Sequence, residues 1–97
     1  MLDLEAAYQL LTVKLVHQIA PGSSIFAFGS RTHGKARPTS DLDLLICPDQ
    51  PLSPIARASL GLAFEESDLP MRVDWLQWHE APEYIRHMAL QANSQLA

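Results

Sequence analysis

The chain has 97 residues, a formal net charge of -4, and is 47% hydrophobic and 19% charged. That length suits a single domain, residues 1–97, with one modest core, and the composition is that of a folded chain rather than a disordered one. The acidic balance argues against a broad electrostatic grip on DNA or RNA, so no direct nucleic-acid binding is expected, and no apolar run approaches the roughly 18 residues of a membrane span.

No charged segment followed by an apolar one opens the chain, so no secretory leader is read. Cys47 is the single cysteine and falls in an apolar run, where it reads as a small buried hydrophobe. Together these point to the cytoplasm. Three of the seven Lys and Arg residues, Arg31, Lys35 and Arg37, crowd into seven positions. A basic spot of that size suits a small anion better than a polymer.

Leu4, Tyr8, Leu11, Leu15 and Ile19 recur at helical spacing, which predicts an amphipathic helix with Asp3 as N-cap and Pro21-Gly22 as stop. Ser24 to Phe28 is a short apolar run ahead of Gly29 and reads as a buried strand. Residues 30–37 read as a short helix or turn, because Gly34 and Pro38 rule out a longer one. Asp41 to Cys47 is a second strand, ended by Pro48, and "PDQPLSP" is a loop. Ser53 to Glu66 reads as a helix that buries Ile55, Leu60, Leu62, Ala63 and Phe64. Met71 to Trp75 is a third strand, and Pro82 to about Gln91 a last helix with proline in its first turn. Residues after Ala92 are expected to fray. The order α-β-(short α)-β-α-β-α predicts an α/β (α+β) fold, a small mixed sheet of three or more strands with helices packed against it.

Side chains on a strand alternate faces, so Asp41 and Asp43 project from one face about 7 Å apart along the chain. Leu42, Leu44 and Ile46 project from the other and can join the core. Two neighbouring anions repel and resist desolvation, and aspartate is a poor strand former. A divalent cation removes the conflict, because Mg²⁺ prefers hard oxygen ligands. Asp74, in "MRVDWLQW", is a third strand carboxylate with apolar neighbours. If its strand lies beside the Asp41–Asp43 strand, three carboxylates converge, enough for two metal ions or for one metal and a base.

Gly29-Ser30 follows a buried strand directly. Glycine lets the backbone bend and a phosphate approach, and N–H groups at the start of a turn can point at an anion. Arg31, Lys35 and Arg37 supply positive charge nearby. Each feature alone has a plainer reading: a turn, a solvated acidic pair, a polar loop. Their occurrence in this order favours a site.

"GSRTHGKARPTSDLDLLI" is Gly-Ser, ten residues, then Asp-x-Asp. It resembles the signature of the polymerase-beta-like nucleotidyltransferase superfamily, and the short chain is similar to its minimal branch, the antitoxin partners of HEPN-domain toxins. The resemblance covers most of the chain, is strongest over Ile25 to Ile46, and resumes at "LPMRVDWLQW". It implies the nucleotidyltransferase fold. It implies that Gly29 and Ser30, with Arg31 and Arg37, hold the triphosphate of ATP. Asp41, Asp43 and Asp74 would be catalytic and would coordinate one or two Mg²⁺ ions. It also implies transfer of AMP to a hydroxyl, in this branch a tyrosine of the HEPN toxin, with loss of pyrophosphate. The chain departs from the family at His33, where an arginine is common, and at Thr32, where an alanine is common. A neutral imidazole is the weaker phosphate partner.

A second reading makes the chain a non-catalytic antitoxin that neutralises its partner by complex formation, its acidic surface suiting a basic RNA-cleaving protein. Transfer to a small molecule ranks below both, since 97 residues leave little room for an acceptor pocket. Catalysis is favoured because Gly-Ser and all three carboxylates are present. His79 and His87 carry little weight as a second metal site.

Overall fold

The structure is a computed structural model that describes residues 2–34 and 36–97. Helix α1 spans Ala6–Ile19, and its cap is Glu5, with no side-chain capping bond. Asp3 therefore does not cap the helix as its sequence position suggested. Its main-chain N–H is bound elsewhere, to the carbonyl of Arg31 at 2.7 Å. The stop at Pro21-Gly22 is where expected, with Gly22 in the left-handed region at φ +74°, a conformation glycine adopts without a Cβ penalty. His17 closes this end with a 2.8 Å hydrogen bond between Nε2 and the Ser23 carbonyl.

Three strands follow from the apolar runs: β1 (Ser24–Phe28), β2 (Leu42–Cys47) and β3 (Val73–Gln77). They form one sheet in the order β1-β2-β3, with β1 antiparallel and β3 parallel to β2. Strand β3 runs two residues later than the predicted Met71–Trp75, because its pairing with β2 begins at Leu42–Val73. Helix α2 (Pro54–Glu65) crosses between the parallel strands. Ser53 caps it by accepting from the N–H of Ala56 at 3.1 Å, and Pro54 fills its first turn, where a missing N–H is harmless. Helix α3 (Glu83–Gln91) follows β3 after a single 3₁₀ turn at Trp78–Glu80. Among the described residues no helix is long and apolar enough to cross a membrane.

The sheet separates two apolar layers. Ile25, Ala27, Leu42, Leu44 and Ile46 pack with Val16 of α1 and with Leu60 and Phe64 of α2. Phe28 and Leu45 face the other way, against Ala81 and Ala89, with α3 on that side. Leu60 and Phe64 are buried as expected, but Ile55 and Leu62 are 80% and 51% exposed. Helical rotation explains the difference: two residues on from Leu60 is about 200° round the helix, and Ile55 falls on the same outer side. The C-terminal residues do not fray. Ala27 donates to the carbonyl of Ser94 (2.9 Å), Leu96 donates to that of Ile25 (2.7 Å), and Ile25 donates to that of Ala97 (3.0 Å). The free edge of β1 offers unpaired backbone groups, and such an edge recruits any extended segment in reach.

Candidate active site

The site sits where β1 ends and where β2 and β3 begin. The antiparallel register sets Phe28 opposite Asp43, and the parallel register sets Asp74 beside Asp43. Asp43 is therefore the central residue, with Gly29 just past its β1 neighbour and Asp74 on its other side. Asp41 lies two residues back along the same chain, on the same face by strand alternation. Leu42 and Leu44, between and beyond the aspartates, are fully buried in the opposite layer and fix which way the carboxylates point.

Gly29 has φ +81° and ψ -155°, backbone that is essentially reserved to glycine. A Cβ there would stand 3.3 Å from Cγ of Asp43 and would overlap its Oδ2. The glycine is needed twice, for the turn and for the space the Asp43 carboxylate fills. Ser30–Thr32 then form a 3₁₀ turn, braced by Thr32 Oγ1 donating to the Gly29 carbonyl at 2.7 Å.

Burial raises the Asp43 pKa above its ordinary value, and the charges of Asp74 and Asp41 raise it further, with Arg72 opposing. Arg72 lies between the outer two carboxylates. Its Nη2 is 3.3 Å from Oδ2 of Asp41 and 3.2 Å from Oδ2 of Asp74. Among the described residues, no three His, Cys, Asp or Glu side chains stand close enough together to enclose a metal ion as they are placed. The backbone register nevertheless sets Asp74 beside Asp43, with Asp41 two residues back on the same chain. Like charges repel, and the guanidinium draws Asp41 and Asp74 to itself. The donor set fits a hard divalent cation: three carboxylates, a central one disfavoured as a lone anion, and an arginine already acting as the positive charge between the other two.

Arg31, read with the basic cluster as a phosphate contact, has its guanidinium turned toward main-chain carbonyls. It is only 5% exposed. Its guanidinium donates to the carbonyls of Ser40 (2.9 and 3.1 Å), Asp3 (2.9 Å), Pro38 (3.2 Å) and Arg37 (3.5 Å). Arg31 thus ties the start of the chain to the loop that delivers Asp41. Arg31→Ala is expected to destabilise the fold by about 3 kcal/mol, the scale for losing several hydrogen bonds to a buried charge. Arg37→Ala should stay within about 0.5 kcal/mol as an ordinary surface change. Urea unfolding of the two variants checks this.

Arg37 is exposed, and Lys35 lies outside the described residues. His33 is exposed at the end of the 3₁₀ turn. With Gly29, Thr32, Met88, Gln91 and Ala92 it lines a cleft of about 530 Å³, which meets the carboxylates through Gly29. Three contributors were not foreseen. Arg72 carried a signal, since strand alternation puts it on the same face as Asp74. Met88 and Gln91 carried none, because they reach the site only through the packing of α3. Trp75 and Trp78 are half-buried packing residues, as expected, each under an arginine, Arg57 at 5.5 Å and Arg86 at 5.3 Å.

The chain is 42% identical over 87 residues, 90% of its length, to the Haemophilus influenzae protein named Probable protein adenylyltransferase MntA, of which it covers 76%. A toxin–antitoxin crystal structure with AMP-PNP superimposes with a TM-score of 0.77 at 26% identity, over 92% of this chain and 72% of that one. The fold also matches a chain in a complex of tri-AMPylated Shewanella oneidensis HEPN toxin with MNT antitoxin, with a TM-score of 0.66 at 23% identity over 92% of this chain and 71% of that one. The family described as Polymerase beta, Nucleotidyltransferase matches residues 14–97. A match that takes in the Gly-Ser turn, all three strands and the last helix places the chain in the polymerase beta nucleotidyltransferase family.

Proposed function

We propose that the chain transfers AMP from ATP to a tyrosine hydroxyl of a HEPN-domain toxin, and so acts in the cytoplasm as the antitoxin of a toxin–antitoxin pair. The observation that carries this reading is the register that sets Asp43 between Gly29 and Asp74. The 42% identity to a protein named as an adenylyltransferase supports the choice of AMP. The toxin–antitoxin structures support the choice of partner.

In the reaction, the tyrosine oxygen attacks the α-phosphorus of ATP. A new P–O bond forms, the bond to the bridging α–β oxygen breaks, and pyrophosphate leaves. Gly29, without a side chain, lets the phosphates approach the end of β1, and Ser30 offers its hydroxyl to them. Arg37, exposed on the following loop, supplies positive charge. The cleft beside Gly29 is of a size to take the rest of the nucleotide. Asp41, Asp43 and Asp74 would hold one or two Mg²⁺ ions, which when bound neutralise phosphate charge and lower the pKa of the attacking hydroxyl. Asp74, the most open to its surroundings at the start of β3, takes the proton from the tyrosine hydroxyl.

The test uses ATP labelled at the α-phosphate, Mg²⁺ and a HEPN-domain toxin that forms a complex with the chain. Label is expected on the toxin, at tyrosine, with release of one pyrophosphate for each AMP. A stable complex that acquires no label would overturn the reading and leave neutralisation by binding alone.

A further inference from the structure

We propose that Arg72 is an internal counter-ion of the carboxylate site, bridging Asp41 and Asp74 in the absence of a divalent cation and yielding its place when one binds. The inference rests on the metal reading above and adds a competitor to it. Three observations on the molecule support it. The same nitrogen, Nη2, reaches one oxygen of each outer carboxylate, at 3.3 and 3.2 Å. One positive group is thus shared by two anions, as a bound cation would be. No other ion pair is made by the guanidinium among the described residues, and its side chain is 74% exposed, so it can swing into solvent.

Arg72 differs in this from Arg31, Arg57 and Arg86. Arg31 is buried and locked to main-chain carbonyls. Arg57 is held by Glu80 and lies over Trp75. Arg86 lies over Trp78 and donates to its carbonyl. Among the described residues, the ion-pair partners of the Arg72 side chain are Asp41 and Asp74. Its main-chain carbonyl accepts from the N–H of Leu42 at 2.9 Å, which anchors its Cα beside the start of β2 while its side chain stays free to move.

The device has a use. Three carboxylates gathered at strand ends repel one another, and Arg72 holds two of them until the cation arrives. It also sets a threshold, because a cation must displace a charge to enter. Exposed ion pairs are weak enough to yield, and breaking two of them shifts an apparent Kd by about 3- to 10-fold.

The experiment measures Mn²⁺ and Mg²⁺ binding to the full chain without nucleotide or partner, by titration calorimetry and by the cation-induced rise in melting temperature. Arg72→Gln is compared with the wild type and with Lys14→Gln, which removes the same charge from an exposed position on α1. The expected result is tighter binding by Arg72→Gln, by about 3- to 10-fold, with a lower melting temperature before the cation is added and a larger rise after it. Lys14→Gln should bind as the wild type does. Wild-type binding with unchanged or weaker binding by Arg72→Gln overturns the counter-ion role and leaves the metal reading standing. Equal tightening in both variants overturns it too, by showing a general charge effect. Absence of binding in all three proteins overturns the metal reading and this inference with it.

Discussion

Asp43→Asn is expected to abolish AMP transfer and, at neutral pH without a divalent cation, to raise the melting temperature. The two effects have one cause. The Asp43 carboxylate is half-buried and faces two other anions, which raises its folded pKa above the ordinary value of 3.8. Below that ordinary value the group is protonated in both the folded and the unfolded chain and contributes nothing to the difference. As the pH rises above it, the unfolded chain loses the proton first, while the folded chain keeps it up to the raised pKa. Stability falls across that window and stays at its lower level above it. Asparagine keeps the shape and removes the charge, so the fall should be absent. Thermal unfolding from pH 3.5 to pH 7 reads this directly: the wild type should lose stability relative to the variant as pH rises. Added Mg²⁺ should stabilise the wild type and not the variant. Transfer should drop by more than about 100-fold, beyond the loss seen when only the partner of a metal ligand is changed. A variant that melts lower than the wild type at pH 7 without cation would show that Asp43 supports the fold and is not a strained functional group.

The same tension was readable in part from the chain alone. Two aspartates at i and i+2 among leucines must share a strand face, because Leu42, Leu44 and Ile46 have to reach the core. Local pattern settles that much. It does not settle that Asp74 stands beside Asp43, since this depends on a parallel pairing between strands separated by the whole of α2. The resemblance supplied the expectation there, and the register bears it out. The surroundings of Arg31 are not legible in the sequence for a related reason. In sequence it is one of three cations in a polar loop. In the fold the loop closes round it, and its charge is spent on the carbonyls of Asp3, Pro38 and Ser40. Nothing local distinguishes a guanidinium that meets a ligand from one that holds a loop. The tail illustrates the same limit. Residues 94–97 have no strong strand pattern, and their order comes from the open edge of β1.

Gly29→Ala is expected to cost stability and activity together, and to do so through Asp43. The backbone term alone is about 1–3 kcal/mol, because φ +81° with ψ -155° is closed to other residues. The second term is the overlap of the new methyl with the Asp43 carboxylate. The central carboxylate must then move, so transfer should fall to the level of Asp43→Asn. Gly22→Ala separates the two terms. Gly22 also has positive φ, +74°, but nothing lies within 4 Å of an added Cβ. It should lose about 1–2 kcal/mol from the backbone and keep full transfer activity. A double-mutant cycle isolates the contact itself. In an Asp43→Ala background the carboxylate is gone, and the methyl added at position 29 has room. Gly29→Ala should then cost only its backbone term, and the difference between backgrounds measures the clash. If Gly29→Ala costs the same in both, the glycine serves the turn alone. If it costs less once the carboxylate has been removed, the chain has kept glycine at this position because the Asp43 side chain requires the space.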